Sequence, residues 1–314
     1  MGSAVQLYLP IAELPVNMLL ILGMGLAIGF ISGMFGVGGG FLLTPLLIFI
    51  GIPPAIAVAT VSGQIAASSL SGTLSYWRKN AVDPKLVGVL LLGSSVGTAG
   101  GVAAFSLLRR EGQLDLFIAL SYVTLLSGIG LLMVVESGRA IARSRSGEPP
   151  KILPPRDRRI ASDLPFVMHF PKSRITVSAI PVVAIGLGIG FLGSMMGIGG
   201  GFLLVPALIY LLRVSTAVVI GTSSLQTLVT MLMAVVFHAA TNATVDVVLA
   251  LLLMIGGVIG AQFGARTSLA MKGEELRLLL GLVVLAVGMR FFIDLVVRPD
   301  DPFSNTIMEW VVRA

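Results

Sequence analysis

Gly36-Val37-Gly38-Gly39-Gly40-Phe41-Leu42-Leu43-Thr44-Pro45 decides how this chain folds, because it returns 161 positions later as Gly197-Ile198-Gly199-Gly200-Gly201-Phe202-Leu203-Leu204-Val205-Pro206. Ahead of each copy runs an apolar segment spotted with small residues, Gly25, Gly29, Ser32 and Gly33 in the first and Gly186, Gly190, Gly193 and Ser194 in the second. The chain is an internal duplication. Ser62 matches Ser223 and Tyr76 matches Phe237 at the same offset, which leaves Gln64 and Gln226 at non-identical repeat positions. After a two-residue insertion, Asp83 matches Asp246, Gly93 matches Gly256, Gly97 matches Gly260 and Glu111 matches Glu274.

Composition sets the class. The chain is 56% hydrophobic and 11% charged, against about a quarter charged in soluble domains. Apolar runs of about 20 residues between short polar breaks match a hydrocarbon layer of about 30 Å. A multi-pass membrane protein in contact with the lipid bilayer is the expectation. The first fifteen residues carry no Lys or Arg and no separate small-residue cleavage site, so a signal peptide is not expected. With no cysteine, disulfides, thiol nucleophiles and Cys-based metal sites are excluded. The net charge of +6 comes mostly from loops between spans and reads as topology, not as nucleic-acid binding.

Five apolar segments, at roughly 15–35, 38–50, 54–77, 85–108 and 113–136, precede the middle of the chain, and five follow at roughly 175–196, 199–212, 215–240, 246–269 and 275–297. The second of each set, about 13 residues, makes about 20 Å of helix and is too short for an untilted span. This predicts an all-α polytopic protein with two repeats of about five segments, each with a glycine-broken hairpin and a short half-helix. The repeats are 1–136 and 175–297, joined by a solvated linker at 137–174 with nine basic residues against three acidic ones. A short tail at 298–314 ends in an amphipathic stretch suited to the interface.

An odd number of segments inserts the second copy upside down. Loop charge agrees: with the linker in the cytoplasm, 16 of the 21 basic residues lie inside, and the loop 238–245, counterpart of the basic loop 78–85, lies outside without Lys or Arg. Both termini are then expected outside.

Glycines just before a short helix let the backbone bend sharply and leave N–H groups exposed at the positive end of the helix dipole. Within a membrane, irregular backbone survives where it is buried in protein or lines a cavity. Gly38, Gly39, Gly40, Gly199, Gly200 and Gly201 are therefore candidate anion ligands. The alternative, that glycines only let helices approach closely, suits Gly25, Gly29, Gly93, Gly97, Gly101, Gly256, Gly260 and Gly264, spaced mostly by four. The third segments add Thr60, Ser62, Gln64, Ser68 and Ser69 in one half and Thr222, Ser223, Ser224, Gln226 and Thr227 in the other. Of these, Ser62, Gln64, Thr222, Ser223 and Gln226 join the candidate site, although Ser and Thr can equally satisfy helix backbone.

Asp83, before Pro84, and Asp246 stand at segment starts and read as N-caps. No Asp or Glu lies within the first four segments of either half, which disfavours cation transport and a carboxylate proton relay. Arg290 and Asp294, four apart, read as a local ion pair, and Trp77, Arg78 and Lys79 as an interfacial anchor. His238, at the place of Trp77, reads as an interfacial histidine able to titrate near neutral pH. Two histidines, no cysteine and no buried carboxylate give no nucleophile–base set, so no enzyme, no catalytic residue, no metal and no cofactor is expected.

The duplicated Gly-x-Gly-Gly-Gly-Phe-Leu-x-x-Pro, after a Gly/Ser-spotted helix and before a Ser/Thr-rich one, resembles the TauE/SafE family of membrane transporters, named for sulfite export. The resemblance covers about residues 16–136 and 175–297. It carries Gly38, Gly39, Gly40 and Pro45 onto the first family motif and Gly199, Gly200, Gly201 and Pro206 onto the second. The family's Gly-Thr-Ser stands intact at Gly221-Thr222-Ser223, whereas the first half reads Thr60-Val61-Ser62. What the resemblance implies is secondary transport, in the direction of export, of a small inorganic or organic anion across the bacterial plasma membrane, with sulfur oxyanions and organosulfonates as the substrate class. The competing expectation is a membrane-embedded partner or assembly factor that docks a soluble protein through its basic linker.

Overall fold

A computed structural model describes residues 6–35, 38–145, 165–173, 175–212, 214, 216–267 and 273–296. Most of the basic linker and all of the tail beyond 296 lie outside the described residues. In chain order come β1 (Gln6–Leu9), β2 (Leu14–Asn17), α1 (Met18–Phe35), α2 (Gly40–Phe49), α3 (Pro54–Arg78), α4 (Pro84–Arg110) and α5 (Leu114–Arg145). The order then repeats as β3 (Val167–Phe170), β4 (Ile175–Ser178), α6 (Ala179–Met196), α7 (Gly200–Tyr210), α8 (Thr216–Asn242), α9 (Val247–Thr267) and α10 (Gly273–Val296). Among the described residues, seven helices are long and apolar enough to cross a membrane, α1 falls just short, and α2 and α7, with 10 and 11 residues, are half-length.

Local chemistry sets the helix starts. Pro54 and Pro84 occupy first-turn positions, where a missing N–H costs nothing. Asp83 and Asp246 cap α4 and α9 by accepting from the N–H groups of Leu86 at 3.2 Å and Leu249 at 3.0 Å.

Small residues then dictate which helices pair. A Cβ on Gly29 would lie 2.2 Å from the carbonyl oxygen of Gly257, one on Gly33 2.2 Å from that of Ala261, and one on Gly260 2.1 Å from that of Leu26. α1 and α9 thus touch backbone to backbone, running parallel. α4 and α6 do the same: Gly93 and Gly97 meet the carbonyls of Val183 and Leu187 at 2.0 and 2.1 Å, and Gly190 meets that of Ser94 at 2.3 Å. No other residue fits at such distances, and close backbone approach is how membrane helices gain packing energy where lipid removes the hydrophobic drive.

The remaining long helices pair like with like. Gly130 faces Leu285 and Gly288 faces Ser127, so α5 and α10 run antiparallel; Gly72 faces Ser224 and Gly63 faces Val235, so α3 and α8 do too. The result is an all-α membrane bundle with symmetric helix contacts between its two halves.

Two antiparallel hairpins, β1–β2 and β3–β4, precede the halves in identical register, Leu9 opposite Leu14 and Phe170 opposite Ile175, again 161 residues apart. The sequence reading did not contain them, and the second falls partly in the stretch read as linker, which α5 also enters as far as Arg145. Each hairpin is tied to the other half by a carboxylate, Asp83 or Asp246, that is buried, against the sequence expectation of no buried carboxylate. Asp83 accepts from Ser173 N at 2.9 Å and Ser173 Oγ at 2.7 Å; Asp246 accepts from Ile11 N at 3.0 Å and Ala12 N at 3.4 Å. These aspartates therefore serve as both cap and latch.

Candidate functional site

Both half-helices begin at glycines that have left ordinary backbone space. Gly38 has φ +90° and Gly39, the N-cap of α2, φ +59°; Gly199, the N-cap of α7, has φ +77°. L-residues reach that region at a cost of about 1–2 kcal/mol. Neither N-terminus carries a side-chain cap, so the first N–H groups of α2 and α7 are left to backbone or to a ligand. Gly40 and Gly200 are the first residues of their helices, and Gly201 follows, buried, in α7.

The two loops come together. A Cβ on Gly40 would lie 2.6 Å from the carbonyl oxygen of Gly197 and 2.9 Å from that of Ile198. Thr44 Oγ1 donates to Gly197 O at 3.1 Å, and the Phe41 and Phe202 rings stack with centroids 4.4 Å apart. Ile65 of α3 lies over both loops, 3.6 Å from a Cβ position on Gly38 and 3.0 Å from that on Gly199. Residues matched by motif across 161 positions are thus joined at one place, between α3 and α8.

Hydrogen bonds correct the register of the third helices. Thr60 Oγ1 accepts from Asp246 N at 3.0 Å, and Thr222 Oγ1 accepts from Asp83 N at 3.2 Å. Ser62 Oγ donates to Val58 O at 2.9 Å, and Ser224 Oγ donates to Ile220 O at 2.7 Å. Like contacts pair Thr60 with Thr222 and Ser62 with Ser224, so one inserted residue precedes α8 and only one follows it. Gln64 and Gln226 are then equivalent positions, contrary to the reading at the 161 offset.

These bonds also sort the candidate polar residues. Ser62 and Ser223 spend their hydroxyl hydrogens on their own helix, Ser223 on Ile220 O at 3.1 Å, and Thr222 braces the Asp83 cap. The amides differ. Gln226 Nε2 donates to Thr230 Oγ1 at 2.9 Å, and its Oε1 sits 2.9 Å from the Cβ position of Gly200. Gln64 is fully buried, and neither Nε2 nor Oε1 has a partner among the described residues.

His238 is buried, not interfacial. Its Nε2 meets Ser194 O at 3.0 Å, its Nδ1 meets Asn242 Nδ2 at 3.2 Å, and Phe105 packs edge-on at 4.6 Å between centroids. With Asn242 Nδ2 as donor, Nδ1 accepts and Nε2–H donates, which makes the ring a structural brace. Arg290 and Asp294 form an exposed ion pair on α10. Among the described residues no cluster of three or more His, Asp or Glu side chains is placed to hold a metal.

A bundle of apolar helices with two broken half-helices meeting inside it defines a polytopic membrane protein with a buried, uncharged polar centre. Residues 21–291 match the family described as "Sulfite exporter TauE/SafE", and the chain belongs to that family. A Bacillus subtilis (strain 168) protein named "Probable membrane transporter protein YjnA" is 28% identical over 270 residues, covering 85% of this chain and 96% of its own length. A Xylella fastidiosa (strain 9a5c) "Probable membrane transporter protein" is 30% identical over 285 residues, covering 87% and 94%. The Arabidopsis thaliana "Sulfite exporter TauE/SafE family protein 1" is 32% identical over 128 residues, 41% of this chain and 25% of its own. No solved structure matches the chain. The protein is a membrane transporter of this family and not an enzyme.

Proposed function

We propose that the protein is a secondary transporter that exports small anions, sulfur oxyanions or organosulfonates, across the bacterial plasma membrane. Two inverted repeats of five segments alternate access to one central site, with termini outside and the basic linker 137–174 in the cytoplasm. The observation that carries this reading is the meeting of two half-helix N-termini, uncapped by side chains, at positive-φ glycines inside the bundle. Helix N-termini favour negative charge through their N–H groups and dipole, and discontinuous helices at a repeat interface are where transporters bind ions.

In this reading Gly38, Gly39, Gly199, Gly200 and Gly201 present backbone N–H groups, Gly40 shapes the first loop by donating its own N–H to Gly38 O at 2.6 Å, and Gln64 and Gln226 add neutral donors without burying a charge. Ser62 and Ser223, bonded to their own helices, and Thr222, bonded to the Asp83 N–H, hold the third helices in place around the site. The antiparallel pairing of α3 with α8 and α5 with α10 supports the inverted arrangement.

Flux of labelled sulfite into proteoliposomes tests it. Gly39→Ala and Gly200→Ala put a methyl group at the two N-termini, where it meets Ser32 Cβ at 3.0 Å and Gln226 Oε1 at 2.9 Å respectively. Each variant is expected to purify as a monodisperse species and to lose at least about tenfold in flux, the loss of one good hydrogen-bonding arrangement. Unchanged flux in both would leave the glycines as packing residues and end the anion-cradle reading.

A further inference from the structure

Gln64 and Gln226 hold the same place on α3 and α8, yet only Gln226 is satisfied. Its Nε2 donates to Thr230 Oγ1 at 2.9 Å, and Thr230 in turn reaches Gln226 O at 2.8 Å and Ser94 Oγ at 3.3 Å. In the first half the position of Thr230 is Ser68, whose hydroxyl donates to Ile65 O at 3.0 Å, and the position of Ser94 is Gly257, which offers no side chain. Gln64 is therefore wholly buried with both ends of its amide unpartnered among the described residues. Native proteins rarely leave such a group orphaned without a use for it.

The amide lies against Gly257, whose Cβ position is 2.4 Å from Nε2. Gly257 packs on Gly29 of α1, beside Ile28 and Ser32, which line the Cβ position of Gly39 at 3.2 and 3.0 Å. From the equivalent register, Gln226 brings its amide oxygen to the first residue of α7. Gln64 occupies the equivalent register on α3, and Gly39 at the N-cap of α2 is the counterpart of Gly200.

We propose that Gln64 is the specificity-determining residue of the transport site, and that it selects a small anion carrying its own hydrogen-bond donor. This rests on the anion-transport reading above and deepens it. A glutamine amide offers two N–H donors and one acceptor oxygen. An anion with acceptors alone satisfies Nε2 but leaves Oε1 without a donor and sets two electronegative ends side by side. An anion that keeps one O–H or N–H closes both ends at once. Monoprotonated oxyanions and sulfonates bearing an amine or hydroxyl share that chemistry; fully deprotonated, acceptor-only anions do not. Sites built to hydrogen-bond a ligand group reject the analogue lacking it far more strongly than apolar pockets reject a size change.

Sulfamate and methanesulfonate separate the two cases, because both are singly charged and nearly the same shape and differ in N–H against C–H. Binding of each to the purified full-length protein is measured by titration calorimetry, in wild type and Gln64→Met, with melting temperatures recorded without anion. Wild type is expected to bind sulfamate at least about fivefold more tightly, the usual minimum when a buried acceptor is left unpaired. Gln64→Met is expected to bind the two within about twofold of each other, with a ligand-free melting temperature no lower than wild type. Hydrogensulfite and a hydroxyl-bearing sulfonate, run alongside, distinguish an O–H source of the donor from an N–H one. Equal affinities in wild type, discrimination that persists in Gln64→Met, or no binding of either anion would overturn the proposal. Absence of discrimination in wild type with Gly39-dependent flux intact would strike this inference alone; discrimination in wild type with no flux of any anion would strike the transport reading alone.

Discussion

The two halves of this transporter share a plan down to single hydrogen bonds at their edges and diverge at their centre. At the edges, Asp83 and Asp246 cap a helix, latch the opposite hairpin and donate a backbone N–H to Thr222 or Thr60 in matching fashion. At the centre, Gln226 is tied into a Thr230–Ser94 network while Gln64 has no hydrogen-bond partner among the described residues. Matching edges with unlike centres accord with symmetry kept where it holds the helices and relaxed at the proposed transport site, since unsatisfied polar groups and backbone strain gather at working sites.

The largest effects should come from the glycines that hold the edges together. Gly97→Val and Gly260→Val put side chains within about 2 Å of backbone carbonyls that cannot move aside. Both should abolish the monodisperse peak in size-exclusion chromatography. Gly88→Ala, with nothing within 4 Å of its Cβ position, should leave that peak unchanged. Equal tolerance at Gly97 and Gly88 would contradict the backbone-to-backbone pairing of α4 with α6.

Next in size are the latches. Asp83→Ala and Asp246→Ala each remove three hydrogen bonds accepted by a buried carboxylate. Each should cost about 3 kcal/mol, allowing for bonds to a charged group and the loss of a cap. Thermal unfolding should show similar losses for the two; a severe loss in one and none in the other would break the equivalence of the edges. The smallest effect separates the centres: Gln226→Met should lose about 1 kcal/mol with its bond to Thr230, whereas Gln64→Met loses no bond at all.

Much of this was legible in the sequence. The glycine triplets announced the half-helices, Asp83 and Asp246 their caps, and the four-residue spacing of small residues the close helix contacts, because each follows from backbone chemistry local to a few residues. The hairpins were not legible, since Gln6–Leu9 and Val167–Phe170 share no residue and four-residue strands carry little pattern. The equivalence of Gln64 and Gln226 was hidden by a single insertion that only the bonds of Thr60 and Thr222 reveal. His238 reads as interfacial from its place near a segment end; Phe105 and Ser194, distant in sequence, bury it. Whether a hydroxyl serves its own helix or a ligand is likewise a matter of three-dimensional neighbours, and Ser62 and Ser223 turned to their helices.

The account depends most on the halves being inserted in opposite senses, so that like helices cross antiparallel around one pair of glycine loops. Asn80 and Ala243, exposed at equivalent turns with φ +52° and +49°, follow α3 and α8. Because the chain has no cysteine, single cysteines at these two positions can be labelled in intact and in opened cells with a membrane-impermeant maleimide. The account expects Ala243→Cys to react in intact cells and Asn80→Cys only after the membrane is opened. Labelling of both from the same side would contradict it.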